Sequence, residues 1–333
     1  CVRPGEAETF AIRLPPLGIL GTSERYIPSG WFWSGGDPDA ADGFPRRRIW
    51  IDGFLMSRHP VTQWEYVRFL NALVVAGRPD EARAAAPRHS DSLAGTEAVF
   101  SQAADGSFGL GNEPERAHLP VTLVDWHGAA AYAQWMAKMY ARPWRLPNEL
   151  EWEKAARGVD GRIYPWGDHV EAPWACMLDS HQGEPRMASV EGYPTDESPY
   201  GVRGLAGNVR SWCANHWTHE GPRVVDQRLI HDPLPTDDHA FRAVRGGAFA
   251  SHIRLSRSAT RFADRPSARF LVTGIRLVRT GASNSARVIG STSGPALATK
   301  SAWPASYSCL RYGRFGWTPK TSHGCVLGCA LMV

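Results

Sequence analysis

The chain has 333 residues, near the upper limit for a single hydrophobic core, so one large domain or two modest ones are expected. Hydrophobic residues at 43%, charged at 21% and aromatic at 11% exclude a wholly disordered, collagenous or coiled-coil protein, and no apolar run approaches the ~18 residues of a membrane span. The formal charge of +4 is unevenly placed, because 281–333 holds Arg287, Lys300, Arg311, Arg314 and Lys320 but no acid, leaving thirty-two basic against thirty-three acidic residues in 1–280. The body is neutral, so a nucleic-acid partner is not expected.

Fourteen Trp, 33 Gly and 25 Pro predict a loop-rich fold in which bulky aromatics hold irregular backbone. Residues 1–24 read as a linker. Tyr26–Trp33 and Arg48–Met56 read as strands bounded by Gly and Pro. Thr62 with Glu65 forms a capping box before Tyr66, Phe69, Leu70 and Leu73 at helical spacing. Residues 77–117, rich in Ala, Arg, Asp and Gly, read as a surface excursion. Asp125 caps a second helix with Ala129, Tyr132, Met136 and Met139 on one face, and Asn148 with Glu151 caps a third that Gly158 closes. Beyond Gly158 only short runs appear, and no repeat of 20–50 residues suggests a solenoid. The whole reads as α+β with few helices and short antiparallel strands.

The tail 281–333, dominated by Ser, Gly and Ala, reads as disordered. Its Cys309, Cys325, Cys329 and His323 lack the paired C-x2-C knuckles of a structural zinc site. Two body cysteines, Cys176 and Cys213, are too few for a disulfide framework, which fits a reducing, cytoplasmic setting. A chain that opens on Cys1 reads as a fragment or processed product, with room for a covalently linked upstream domain.

A set of motifs follows in order: His59-Pro60-Val61-Thr62, Asp125-Trp126, Arg145-Leu146-Pro147-Asn148-Glu149 through Arg157-Gly158, Tyr164-Pro165-Trp166-Gly167-Asp168, Ser198-Pro199-Tyr200-Gly201, Gly207-Asn208-Val209, Arg245-Gly246-Gly247 and Gly274-Ile275-Arg276-Leu277. Over 25–280 the chain resembles the formylglycine-generating enzyme, or sulfatase-modifying factor, family. The resemblance implies a variant of the C-type lectin fold. It also implies a Ser after Arg-Gly-Gly and two copper-binding cysteines, where this chain has Ala248, Ser251 and Ser256. The family's active-site Trp is Arg210, and its calcium-site positions read Gly204, Ser211 and Cys176-Met177. Hydroxyls replace thiolates poorly for Cu(I), and lost oxygen ligands weaken calcium sites, so neither cofactor is expected.

Arg145, Arg157, Arg245 and Arg276 could recognise anions but are expected to form buried ion pairs with Glu149, Glu151 or Glu153. Trp126, Trp152, Trp166 and Trp212 could line a groove but are expected to pack in the core. The run Ser251-His252-Ile253-Arg254-Leu255-Ser256-Arg257 with Arg210 then reads as a surface for acidic or phosphorylated groups. Family domains of this kind occur attached to Ser/Thr kinases. The expectation is a catalytically degenerate accessory module of a larger bacterial protein that binds a protein or a small anionic ligand through Arg210, Ser251, His252, Arg254, Ser256 and Arg257. The alternative is a metal-dependent oxidoreductase acting on a sulfur-containing substrate, using histidine-rich loops such as His216 and His219 with Asp226, or His231 and His239. A third reading is a surface-displayed recognition protein of the variable lectin type.

Overall fold

Short strands arise here because Gly and Pro interrupt every apolar run, and in the computed structural model, which describes residues 20–89 and 99–280, few strands exceed five residues. The elements are β1 (Glu24–Ile27), β2 (Gly30–Ser34), β3 (Arg47–Ile51), β4 (Phe54–Ser57), α1 (Gln63–Val75), α2 (Pro79–Ala85), β5 (Ser101–Gln102) and β6 (Phe108–Gly109). Then come α3 (Trp126–Tyr140), β7 (Trp144–Arg145), α4 (Glu149–Arg157), β8 (Arg210–His216), β9 (Val224–Val225) and β10 (Arg228–Leu229). The last are β11 (Arg242–Arg245), β12 (Arg261–Asp264), β13 (Thr273–Gly274) and β14 (Val278–Thr280). The expectations on 1–19 and on the tail 281–333 lie outside the described residues.

Strands assemble as β1-β4-β14-β7, β2-β3-β10-β9, β12-β11-β8-β13 and the pair β5-β6, mostly antiparallel. The helix starts follow their local chemistry. Thr62 Oγ1 accepts the Glu65 N–H while Glu65 accepts the Thr62 N–H at 2.8 Å. Asp125 accepts the Gly128 N–H, and Asn148 with Glu151 closes the capping box of α4. Such caps are worth about 1 kcal/mol each.

Helices α1 and α3 bury Tyr66, Phe69 and Tyr132 as one aromatic cluster, with Trp212 and Val244 of the third sheet behind them. The second core cluster sits between β2, β3 and α4 around Phe32, Ile49, Leu150 and Trp152. Two expectations need correction. Segment 77–117 is not a mere excursion: it contains α2, and Ala82, Phe100 and Phe108 enter the first core cluster. Met139 is exposed while Met136 packs against the core, because the last turn of α3 runs past the cluster.

Candidate functional site

Helix α4 gathers three buried carboxylates, and each meets an arginine, buried for Glu149 and Glu153 and half-buried for Glu151. Glu149 accepts from both Arg261 Nε at 2.7 Å and Arg261 Nη2 at 3.0 Å, and Glu151 is held in a fork by Arg145 at 2.7 Å. Glu153 receives Arg157, Arg245, the Ser34 hydroxyl and the Gly35 N–H. These arginine contacts hold Glu151 and Glu153 below the ordinary carboxylate range although burial opposes them. Arg276 departs from the expected pattern. It meets no glutamate and instead donates to the carbonyls of Ser57, Arg58, Arg203 and Gly204, which stitches three loops together. Burial pushes its guanidinium down to about 9. Trp126, Trp152 and Trp212 are core residues; Trp166 is half-buried and stacked on Tyr164.

Arg210 has no such partner. It opens β8, where Thr273 of β13 is its neighbour and Trp212 shares its face by the two-residue alternation of a strand. Val244 stands opposite Trp212 and Phe262 opposite Val244, so the Arg210 side chain reaches across β11 to Phe262. Its guanidinium carbon lies 3.8 Å from the centre of the Phe262 ring, and Nη2 donates to Ser251 Oγ at 3.1 Å. Nε is buried with no hydrogen-bond partner, and among the described residues Arg210 makes no ion pair with a carboxylate. Burial lowers its affinity for the proton. Asp264 of β12 is the opposing charge that acts on Arg210, and burial raises its carboxyl to about 6 despite the pull of Arg210.

The remaining predicted residues divide. Ser251 is buried in the turn after Ala248. Ser256 is fully buried at the end of a short 3-10 turn (Ile253–Ser256), its Oγ unpartnered and packed so closely on Gly247 that a Cβ there would collide with it and with the Ala206 carbonyl. His252 faces solvent beside Asp179 at 3.4 Å, and Arg254 is exposed. Arg257 turns away to Asp39 at 2.5 Å and Asp37 at 3.5 Å. Structure therefore joins Arg210 to Ser251 and adds Phe262 and Asp264, which sequence reasoning missed. One signal was available: Asp264 is the only acid between residues 239 and 333.

The donor chemistry around this wall is specific. Two buried hydroxyls, Ser251 and Ser256, stand at the positions where the resemblance implies thiolates, and the Arg210 guanidinium stands where it implies a Trp. Cys176 is buried, with Met177 in an apolar cluster with Ala175 and Ala206, and burial pushes its thiol up to about 11. Below it, the buried Asp196 carboxylate already accepts the N–H groups of Leu205, Ala206 and Gly207. At the far end of β8 a cavity of about 710 Å³ is lined by Arg145, Asn215, His216 and His231. His219 lies against Trp217, and Asp226 sits in the turn between β9 and β10. Among the described residues no three His, Cys, Asp or Glu side chains converge to hold a metal ion.

Comparison with known proteins agrees with the architecture. The protein is 31% identical over 276 residues to the serine/threonine-protein kinase Pkn1 of Chlamydia trachomatis serovar L2, covering 82% of this chain and 40% of that one. It thus spans about two-fifths of the length of that kinase. It is also 31% identical over 281 residues to the formylglycine-generating enzyme of Thermomonospora curvata, covering 75% and 91% of the two chains. The solved structure of PvdO from Pseudomonas aeruginosa shares the fold at a TM-score of 0.57 and 21% identity, covering 77% of this chain and 94% of that one. Residues 21–281 match the sulfatase-modifying factor enzyme 1-like domain, and the chain belongs to that family.

Proposed function

We propose that this domain is a catalytically degenerate member of its family that binds an anionic group at the Arg210 wall, as an accessory module of a larger bacterial protein. The carrying observation is the half-buried Arg210 guanidinium, stacked on Phe262 and, among the described residues, hydrogen-bonded only to Ser251 and without a carboxylate in ion-pair reach. A desolvated cation with unused N–H groups has most to gain from a bound carboxylate, sulfate or phosphoryl oxygen. The same cation, with Ser251 and Ser256 in place of thiolates, disfavours Cu(I), and the thiol, thioether and already-saturated Asp196 near 176–207 disfavour calcium. Similarity to Pkn1 supports the accessory role, with a kinase as the fused partner.

The test is a parallel assay of the folded protein: Cu(I) and Ca(II) content by elemental analysis, oxygen uptake on a cysteine-containing peptide, and sulfate binding by calorimetry. Sulfate binding that is lost in Arg210→Ala, with neither metal bound and no oxygen consumed, is the expected result. Stoichiometric copper with peptide-dependent oxygen uptake would make the domain an oxidoreductase and end the binding proposal.

A further inference from the structure

The solvent face of the second sheet has a composition that the Arg210 wall does not explain. In the β2–β3 hairpin Trp31 stands opposite Trp50 and Trp33 opposite Arg48, while Arg228 of β10 is the neighbour of Trp50. Alternation sends Phe32, Ile49 and Ile51 into the core and leaves these five positions, with Arg46, on the other face. There the rings and guanidinium groups interleave. Arg46 lies 4.3 Å over Trp33, Arg48 lies 4.9 Å over Trp31, and Arg228 lies 5.2 Å over Trp50, while Trp31 meets Trp50 edge to face at 5.5 Å. Gly36 makes room for the first of these contacts, since a Cβ there would collide with the Arg46 side chain.

The three arginines differ in one respect. Arg228 is paired with Asp52 at 2.8 Å, and Trp50 Nε1 donates to the same carboxylate. Arg46 and Arg48 are exposed and, among the described residues, make no ion pair or hydrogen bond. Their stacking on Trp already restricts the long side chains, so a ligand need not order them. Their N–H edges remain open to an acceptor. Arg47 between them points to the other face, over Phe44, so Arg46 and Arg48 lie two residues apart on one face, a backbone spacing of roughly 7 Å.

We propose that this face is a docking surface for an extended acidic peptide with carboxylates at alternate positions. An extended chain repeats its side chains on one side at the same spacing of about 7 Å, so successive carboxylates meet Arg46 and Arg48 together. The half-buried Trp31, Trp33 and Trp50 supply apolar area between them. Two free cations on a body without excess positive charge are too few for a nucleic-acid strand, whose binding rests on many phosphate contacts. This surface is independent of the Arg210 wall.

The experiment measures binding of fluorescein-labelled peptides of alternating Glu and Thr, or alternating Lys and Thr, to the full chain by anisotropy, with oligo(dT) and heparin as competitors. The Glu peptide should bind and the Lys peptide should not. Arg46→Glu with Arg48→Glu should weaken binding about tenfold or more. The double Lys variant, which keeps the charge but loses the fork, should weaken it several-fold. Arg210→Ala should leave it unchanged. Equal affinity in the double Glu variant, no binding by the wild type, or preferential binding of oligo(dT) or heparin would overturn the proposal.

Discussion

Helix α4 and the first residue of β8 both bring charge out of water, but only the helix neutralises it. Around Glu149, Glu151 and Glu153 every carboxylate meets an arginine, and the N–H groups and carboxylate oxygens serve to lock loops onto the helix. At Arg210 a cation is desolvated against an aromatic ring and given a hydroxyl instead of an anion. On the proposed binding reading, the difference separates structural from functional charge in this protein: the first kind is already paired, and the second is left for a ligand.

The largest expected effect lies on the helix side. Glu153→Ala leaves Arg157 and Arg245 buried without their anion and removes acceptors from Ser34 and Gly35, so unfolding free energy should drop by about 3–5 kcal/mol in denaturant titrations. Arg210→Ala should behave oppositely. It should abolish sulfate binding while changing stability by about 1 kcal/mol or less, since it loses mainly the contact with Phe262. If Arg210→Ala proved as destabilising as Glu153→Ala, the distinction between the two regions would collapse.

A third prediction sharpens the comparison through pH. Ionised Asp264 competes for the Arg210 charge, and its carboxyl titrates near 6. Sulfate keeps its charge across this range, so its affinity should rise as pH falls through about 6. Asp264→Asn should make the profile flat. The smallest effect is on stability. Asp264 has a folded pKa of about 6 against an ordinary value of 3.8, so between these the folded state holds a proton that the unfolded state releases. Its contribution therefore weakens as pH rises through that window, and Asp264→Asn should be modestly more stable than the wild type above pH 6.

Legibility in the sequence followed the range of the interaction. Thr62, Asp125 and Asn148 were readable as caps because each bonds within three residues. The pairing of Arg145, Arg157 and Arg245 with α4 could be anticipated from charge balance in a buried segment. Arg276 could not, because its partners are backbone carbonyls contributed by loops distant in sequence, which no residue type announces. Segment 77–117 was misread since small and charged residues concealed Phe100 and Phe108. At the candidate site, Arg210 and Ser251 were named from the family resemblance, but their contact spans 41 residues and needed the register of β8, β11 and β12 to appear. The same register brings in Phe262 and Asp264, and the 3-10 turn sends Arg254 and Arg257 elsewhere.

The most direct test of the binding account is calorimetric titration of sulfate into wild type and Arg210→Ala at a pH below 6, where Asp264 is protonated. The account predicts saturable binding by the wild type and none by the variant, with similar unfolding midpoints. Identical binding in both proteins, or none in either, would contradict it.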